Sequence, residues 1–179
     1  MKSKRQSKNT IGKSQLDEPP FFFLDRTVGR YELAGMLRAE DFLLITLYEE
    51  FGEAESKIAD PVMIANCGFK GRVLLTGDQD LIYSFAKEIA EAGIAVFVTS
   101  DNRQGPIHWG PRIIAAKSDI WRELRRRKKP FTAKISKEGR ITQVRIYEGK
   151  EWKSITIGKK NPPHRNKQRE EDIARSFDT

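Results

Sequence analysis

The sequence predicts an α/β fold: a mostly parallel β-sheet flanked by helices, with a small antiparallel β meander at the C-terminal end. Short apolar runs alternate with segments of helical periodicity as far as residue 128, which is typical of parallel strands joined by helices. Beyond Pro130, apolar residues recur at every second position, the period of a strand with one buried face. The chain has 179 residues, a length that fits one domain with attached segments.

The parallel strands are predicted where the chain is briefly and continuously apolar, as expected for strands buried on both faces. These predicted strands are residues 21–24, 42–47, 72–76 and 94–98. Between them, apolar residues at helical spacing predict helices. The predicted helices are residues 28–38, a segment from Asp60, residues 81–92 and residues 113–129. An acidic connection is predicted over residues 48–59 and a loop over residues 101–110.

The C-terminal meander is predicted to have three strands, at residues 131–135, 141–147 and 152–157, joined by the turns KEGR and EGKE. The predicted organisation is therefore a disordered basic arm (1–19), an α/β domain (20–128), the basic meander (129–158) and a flexible tail (159–179). The two terminal segments are polar and rich in charge, which favours disorder.

Charge is distributed unevenly along the chain, whose net charge is +8. Residues 21–110 carry 8 Lys and Arg against 14 Asp and Glu, whereas residues 111–179 carry 20 against 9. An acidic centre requires cations, and a basic flank attracts polyanions. This pairing suits an enzyme that acts on nucleic acid through metal ions.

The sequence favours a cytoplasmic protein. No apolar run approaches the roughly 20 residues of a membrane-spanning helix, and we expect no membrane association. The basic N-terminus is not followed by the apolar segment of a secretory signal. A single cysteine, Cys67, excludes an internal disulfide.

Four aspartates are the candidates for chemistry. Asp25 follows the first predicted strand, Asp78 and Asp80 follow the third, and Asp60 opens a helix ahead of Pro61. Ligand sites of open α/β sheets lie at the carboxyl ends of strands, and hard cations such as Mg²⁺ or Mn²⁺ take oxygen ligands. Structural alternatives stay open: Asp60 as a helix cap, Asp78 and Asp80 as turn residues, and Asp25 paired with a neighbouring arginine.

These segments together resemble the PIN-domain superfamily of metal-dependent ribonucleases. The resemblance rests on FFFLDR (21–26), DPVMIANCGFKG (60–71) and VLLTGDQDL (73–81), and it covers roughly residues 20–102. The chain looks closest to compact PIN-like proteins that include the toxins of toxin–antitoxin modules. The resemblance implies a PIN-like fold and metal-assisted hydrolysis of RNA phosphodiester bonds by a divalent-metal-dependent endoribonuclease.

The resemblance also implies roles for particular residues. Asp25, Asp60 and Asp78 fall on three of the family's metal-binding acidic positions, and Asp80 either adds to this site or shapes its loop. Members usually carry another acidic residue between the first two aspartates. Glu49, Glu50 and Glu53 are the candidates, with Glu50 favoured, and Asp101 is a further candidate after the fourth strand.

The expected partners are RNA and a cognate antitoxin protein, and a homodimer stays open. Basic residues beside Asp25 and at the end of the last predicted helix are the candidates for RNA contacts: Arg26, Arg122, Arg125, Arg126, Arg127, Lys128 and Lys129. Two alternatives remain. The chain could be a non-catalytic nucleic-acid-binding protein on a degenerate PIN-like scaffold, or its basic segment could bind an acidic protein.

Overall fold

The computed structural model describes residues 18–29, 31–99, 106–155 and 157. Within these ranges, seven strands form one sheet: β1 (Phe21–Leu24), β2 (Leu43–Thr46), β3 (Val73–Thr76), β4 (Ala95–Thr99), β5 (Phe131–Ile135), β6 (Ile141–Glu148) and β7 (Glu151–Ile155). The same ranges contain the helices α1 (Glu32–Ala39), α2 (Leu47–Phe51), α3 (Asp60–Phe69), α4 (Leu81–Ser84), α5 (Ala86–Ala92), α6 (Pro106–Ala115) and α7 (Lys117–Arg126).

The strand order is β2-β1-β3-β4-β5-β6-β7. The first five strands in this order pair in parallel, and β5, β6 and β7 form an antiparallel meander. The predicted class, a mostly parallel α/β sheet with an antiparallel C-terminal part, is therefore confirmed. The sequence did not indicate that β5 pairs directly with β4, with Phe131 opposite Ala95 and Ile135 opposite Thr99.

Helices cover the sheet on two sides, and each side has its own apolar core. We call the side that carries α1, α6 and α7 the α1 face, and the side that carries α2, α3, α4 and α5 the α3 face. The core of the α1 face includes Phe22, Leu24, Leu33, Leu37, Phe97, Ile113, Ile120 and Phe131. The core of the α3 face includes Phe23, Met63, Ile64, Leu74, Ile82, Ile89 and Val96.

The helices differ from the sequence prediction mainly at their ends. A short 3₁₀ turn, Arg26–Val28, precedes α1. The predicted acidic connection contains α2, which begins with a capping box between Thr46 and Glu49, and a second 3₁₀ turn, Gly52–Lys57. The predicted helix over residues 81–92 is interrupted at Phe85, whose φ of −122° is not helical.

Two further differences concern the helices before the meander. The predicted loop over residues 101–110 is wrong for its second half, because α6 begins at Pro106. The predicted helix over residues 113–129 instead comprises the end of α6 and all of α7, with a break at Ala116. Residues 101–105 lie outside the described part of the chain.

The predicted basic arm and the predicted tail fall almost wholly on residues 1–17 and 158–179, which also lie outside the described ranges. Within the described ranges, no helix combines the length and the apolar character needed to cross a bilayer.

Two helical glycines test the packing of the α3 face. A Cβ atom on Gly68 of α3 would lie 2.6 Å from the backbone oxygen of Ala92, whereas a Cβ atom on Gly35 of α1 would contact nothing within 4 Å. We expect Gly68→Ala to lower the free energy of unfolding by about 1–3 kcal/mol, because backbone must move. Urea denaturation followed by far-ultraviolet circular dichroism measures this change.

The matched control is Gly35→Ala, which makes the same change where the helix has room. It should raise the free energy of unfolding by about 0.5–1 kcal/mol, because alanine favours helix more than glycine does. Equal stabilisation by both substitutions would contradict the close packing of α3 against α5.

Candidate functional site

The candidate site lies at the carboxyl edge of the parallel sheet, between β1 and β3. Strand β1 is flanked by β2 on one side and by β3 on the other, so the strand order reverses direction at this point. Open α/β sheets form ligand crevices where the order reverses. Asp25 directly follows β1, and its backbone N–H donates to the Leu75 oxygen at 3.2 Å, which continues the β1–β3 pairing.

The Asp25 carboxylate is 3% exposed and accepts hydrogen bonds on both oxygens. Its Oδ1 accepts from the Thr27 N–H at 2.9 Å, the Thr27 hydroxyl at 2.5 Å and the Val28 N–H at 3.3 Å. Its Oδ2 accepts from the Thr76 hydroxyl. These bonds fix the carboxylate and also begin the 3₁₀ turn after β1.

The hydroxyls of Thr27 and Thr76 connect Asp25 to the loop after β3. Thr27 Oγ1 accepts from the Gly77 N–H at 2.8 Å, and Thr76 Oγ1 accepts from the Asp78 N–H at 2.9 Å. The two hydroxyl oxygens lie 3.4 Å apart. We call Asp25, Thr27, Thr76 and Asp78 the Asp25 site.

A tryptophan closes this loop from the α1 face. A Cβ atom on Gly77 would lie 2.4 Å from the ring of Trp109, and Trp109 itself is 4% exposed. Only glycine therefore fits between the Trp109 ring and the Thr27 hydroxyl, which a Gly77 Cβ would approach to 3.2 Å. Sequence reasoning missed this contact because the two residues are far apart in the chain.

The turn role expected of the aspartates in the loop after β3 is confirmed for Asp78. Asp78 Oδ1 accepts from the Asp80 N–H at 2.8 Å, which is an Asx turn. Asp78 is half-buried and Asp80 is exposed. The turn role does not exclude metal binding by Asp78, and no observation places Asp80 beside Asp25.

Burial raises the pKa of Asp25 to about 6, although the hydrogen bonds from Thr27 and Thr76 act in the opposite direction. In the described part of the chain, Asp25 is bound by hydroxyls and backbone N–H groups. Glu123, which is also fully buried, is instead bound by the cations Arg122 and Arg127. A buried carboxylate without a cation is costly to ionise, and no cation lies among the described partners of Asp25.

Asp60 lies at the start of α3 but does not cap the helix. Its predicted N-cap position is wrong, because Ala59 is the N-cap and Asp60 is the first helical residue. Asp60 Oδ1 lies 3.9 Å from the Arg26 guanidinium, which also donates to the Ile58 oxygen. Asp60 is thus connected to the residue after Asp25.

The predicted glutamates have partners of their own. Lys70 and Asn66 donate to Glu50 Oε1, and Arg72 donates to Glu50 Oε2 at 3.0 Å. Burial opposes ionisation of Glu50, but the hydrogen bonds from Lys70 and Arg72 hold its pKa below the ordinary value. This arrangement gives Glu50 a structural role, and its place in a metal site stays a prediction.

The other two candidates, Glu49 and Glu53, also have hydrogen-bond partners. Arg38 binds both oxygens of Glu49, at 2.8 and 2.6 Å, and Glu49 also closes the capping box of α2. Glu53 accepts from the Tyr48 hydroxyl at 2.9 Å. Asp101, the further candidate, lies outside the described residues.

The structure thus brings Asp25 and Asp78 to one loop cluster and places Asp60 beside Arg26. Within the described ranges, no group of three or more histidine, cysteine, aspartate or glutamate side chains is arranged to hold a metal ion. The three-aspartate site stays a prediction. Thr27 was missed as part of the site, although a hydroxyl residue two positions after a strand-end aspartate is a recognisable signal.

The basic residues at the end of α7 divide into two groups. Arg122 contacts Asp119 at 2.6 Å and Glu123 at 3.3 Å, and Arg127 contacts Glu123, so acidic partners neutralise both. Four others are exposed: Arg125, Arg126, Lys128 and Lys129. RNA binding by this group stays a prediction.

Comparison with known proteins gives no further identification. No family model, curated protein or solved structure matches the chain.

The raised pKa of Asp25 predicts a pH dependence of stability. The folded state holds the Asp25 proton up to about pH 6, whereas the unfolded state releases it near pH 3.8. This group therefore makes the protein less stable as pH rises through that window, by on the order of 3 kcal/mol. In urea denaturation with EDTA, Asp25→Asn should gain stability relative to the wild type between pH 4 and pH 7.

Asp80→Asn is the control, because it removes an exposed carboxylate from the neighbouring loop after β3 and should leave the pH profile of the wild type unchanged. If the difference between Asp25→Asn and the wild type stays constant from pH 4 to pH 7, burial does not raise the pKa of Asp25.

Proposed function

We propose that this protein is a divalent-metal-dependent hydrolase of RNA phosphodiester bonds, with its active site at the Asp25 site. The observation that carries the proposal is the buried Asp25 carboxylate, which has hydroxyl and backbone donors but no cation among its described partners. Burial raises the pKa of Asp25, and groups with strongly shifted pKa values are concentrated at functional sites. The position between β1 and β3 agrees with the usual location of ligand sites in this sheet architecture.

The donor set fits a hard divalent cation. Mg²⁺ is usually bound through one or two carboxylates together with waters and substrate phosphates. Asp25 and Asp78 would supply these carboxylates. Asp60 could supply a third if its contact with Arg26 opened, and both partners of that pair are solvent-exposed, at 42% for Arg26 and 36% for Asp60. When bound, Mg²⁺ or Mn²⁺ would polarise the phosphate and lower the pKa of an attacking water.

The residues of the chain have distinct roles in this proposal. Asp25 holds the cation and does not attack the substrate. Thr27 and Thr76 are positioning residues, because their hydroxyls orient the Asp25 carboxylate and fix the backbone that carries Asp78. Arg26 lies next to Asp25, where its guanidinium can bind a phosphate of the substrate.

RNA is the proposed substrate because of the charge distribution and the resemblance to PIN-domain ribonucleases. The segment from residue 111 carries 20 Lys and Arg against 9 Asp and Glu, and such a basic flank attracts a polyanion to a site rich in carboxylates. A toxin role and a cognate antitoxin follow from the resemblance and stay predictions.

A second candidate is non-catalytic nucleic-acid binding on the same scaffold. It is favoured by the hydrogen bonds that Asp25 already accepts on both oxygens, from Thr27, Val28 and Thr76. In this case the carboxylate would only join the loops after β1 and β3.

Substitution of the two central aspartates separates these functions. Asp25→Asn and Asp78→Asn should each lower the rate of Mn²⁺-dependent cleavage of single-stranded RNA by about a hundredfold or more, because each removes a charged ligand. Gel analysis of a labelled RNA measures the rate. Thr76→Val should cause a smaller loss and weaken activation by Mn²⁺, because the carboxylate is then less well oriented.

Asp41→Asn is the matched control. Asp41 is exposed in the turn between α1 and β2, and its positive φ of 59° suits asparagine. Its cleavage rate should equal that of the wild type. If the wild type shows no metal-dependent cleavage but binds RNA, the second candidate is correct. If Asp25→Asn cleaves as fast as Asp41→Asn, the Asp25 site is not the active site.

A further inference from the structure

A basic cleft opens on the α3 face of the sheet, between α4 and the strands β5 and β6. Its volume is about 80 Å³. The residues that form it are Gln79, Ile82, Tyr83, Val98, Thr132, Ala133, Lys134, Gln143 and Arg145. We call this surface the β5–β6 cleft. It differs from the basic end of α7, which lies on the α1 face.

Contacts between α4 and the meander fix the walls of the cleft. The Trp152 indole N–H donates to the Ile82 oxygen at 2.6 Å, so β7 is attached to α4. The Arg145 guanidinium lies over the Tyr83 ring, 5.2 Å from its centroid. Lys134 Nζ donates to Gln79 Oε1 at 3.3 Å. The sequence alone did not indicate that the meander and α4 form one surface.

The chemistry of the cleft suits a strand with phosphates and planar bases. Among the described residues, its lining contains two cations, Lys134 and Arg145, and no acidic residue. Tyr83 is 57% exposed, so its ring is accessible for stacking on the face away from Arg145. The amides of Gln79 and Gln143 supply donors and acceptors for base edges. Surfaces that bind single-stranded nucleic acid combine these features: a positively charged groove and an aromatic ring on which a base stacks.

The cleft and the Asp25 site share the loop after β3. Gln79, which binds Lys134, follows Asp78 directly in the loop after β3. A strand whose phosphate lies at Asp78 would next meet Gln79 and the β5 side chain that Gln79 binds, Lys134. The same face of β6 and β7 is at least partly accessible to solvent beyond the cleft. Its side chains are the half-buried Gln143, Arg145, Tyr147 and Trp152 and the exposed Ser154. A bound strand could therefore continue along this face of the sheet.

We propose that the β5–β6 cleft binds single-stranded RNA, with Lys134 and Arg145 on successive phosphates and a base stacked on Tyr83. This inference identifies the substrate-binding surface of the proposed hydrolase. It rests on the proposed function, which places a phosphate of the bound strand at Asp78. The exposed ring and the amide pair favour RNA over an acidic polypeptide, which would need the two cations but not a stacking surface.

Binding in EDTA tests the cleft independently of cleavage. Fluorescence anisotropy with a short labelled single-stranded RNA compares the full chain with Lys134→Gln/Arg145→Gln. The double variant should bind about tenfold or more weakly, and the slope of log K against log salt should fall by about 1.4, which corresponds to two phosphate contacts on a single strand. Tyr83→Ala should weaken binding by about fivefold or more through lost stacking, whereas Tyr83→Phe should bind normally.

Lys87→Gln/Arg140→Gln is the matched control, since it removes one lysine and one arginine from exposed positions outside the cleft. It should change affinity by no more than about threefold, through general charge alone. Equal losses from the control and the cleft variant would overturn the proposal. A second pair of results would also overturn it: Tyr83→Ala binds RNA as tightly as the wild type, and poly-glutamate at equal charge displaces the RNA. These results would indicate a surface that binds an acidic polypeptide.

The test separates this inference from the hydrolase proposal. RNA binding that is lost in the cleft variants without any metal-dependent cleavage supports the cleft and rejects the hydrolase. Cleavage by the wild type with normal RNA affinity in the cleft variants rejects the cleft alone. Thermal denaturation of each variant verifies that it is folded.

Discussion

The hydroxyl groups of Thr27 and Thr76 hold the Asp25 carboxylate between the first and third strands, and the geometry of the site depends on this contact. Each hydroxyl donates to Asp25 and accepts a backbone N–H from Gly77 or Asp78. A parallel sheet fixes where its strands end but not how the following loops meet. Here two side-chain hydroxyls join the loops, and the ring of Trp109 leaves room only for glycine beside them.

This arrangement stabilises the position of a charge that burial disfavours. Hydroxyl and amide donors offset part of the cost of desolvating Asp25, yet its pKa remains near 6. Two other carboxylates have a different environment: Glu50 and Glu123 are each bound by two basic side chains. Among the described residues, cations therefore lie beside these glutamates whereas Asp25 has only neutral donors, which is the arrangement expected where a ligand supplies the positive charge.

Much of the sheet could be predicted from sequence because buried strands are short, apolar and bounded by turn residues. The predicted bounds of β1 and β5 are confirmed without change. The parallel pairing of β5 with β4 could not be predicted, because alternating apolar residues show which face is buried but not which strand lies alongside. The breaks at Phe85 and Ala116 were equally hidden, since apolar periodicity continues through both.

The candidate site was likewise predictable where it depends on local sequence, and not where it depends on contacts between distant segments. Asp25 and Asp78 could be predicted as carboxylates at strand ends, because the C-terminal ends of parallel strands lie at the same edge of the sheet. The partners of Glu50 were not, because Lys70 and Arg72 reach it only after α3 has returned the chain across the sheet. The association of Tyr83 with Arg145 likewise depends on how α4 packs against a meander far along the chain.

Crystals grown with Mn²⁺ show whether Asp25 and Asp78 hold a metal ion, because the anomalous signal of manganese locates the ion without reference to activity. We expect an anomalous peak that contacts carboxylate oxygens of Asp25 and Asp78, and no such peak in crystals of Asp25→Asn. Manganese bound elsewhere on the surface, or an Asp25 carboxylate that keeps only its hydroxyl and backbone donors at saturating Mn²⁺, would contradict it.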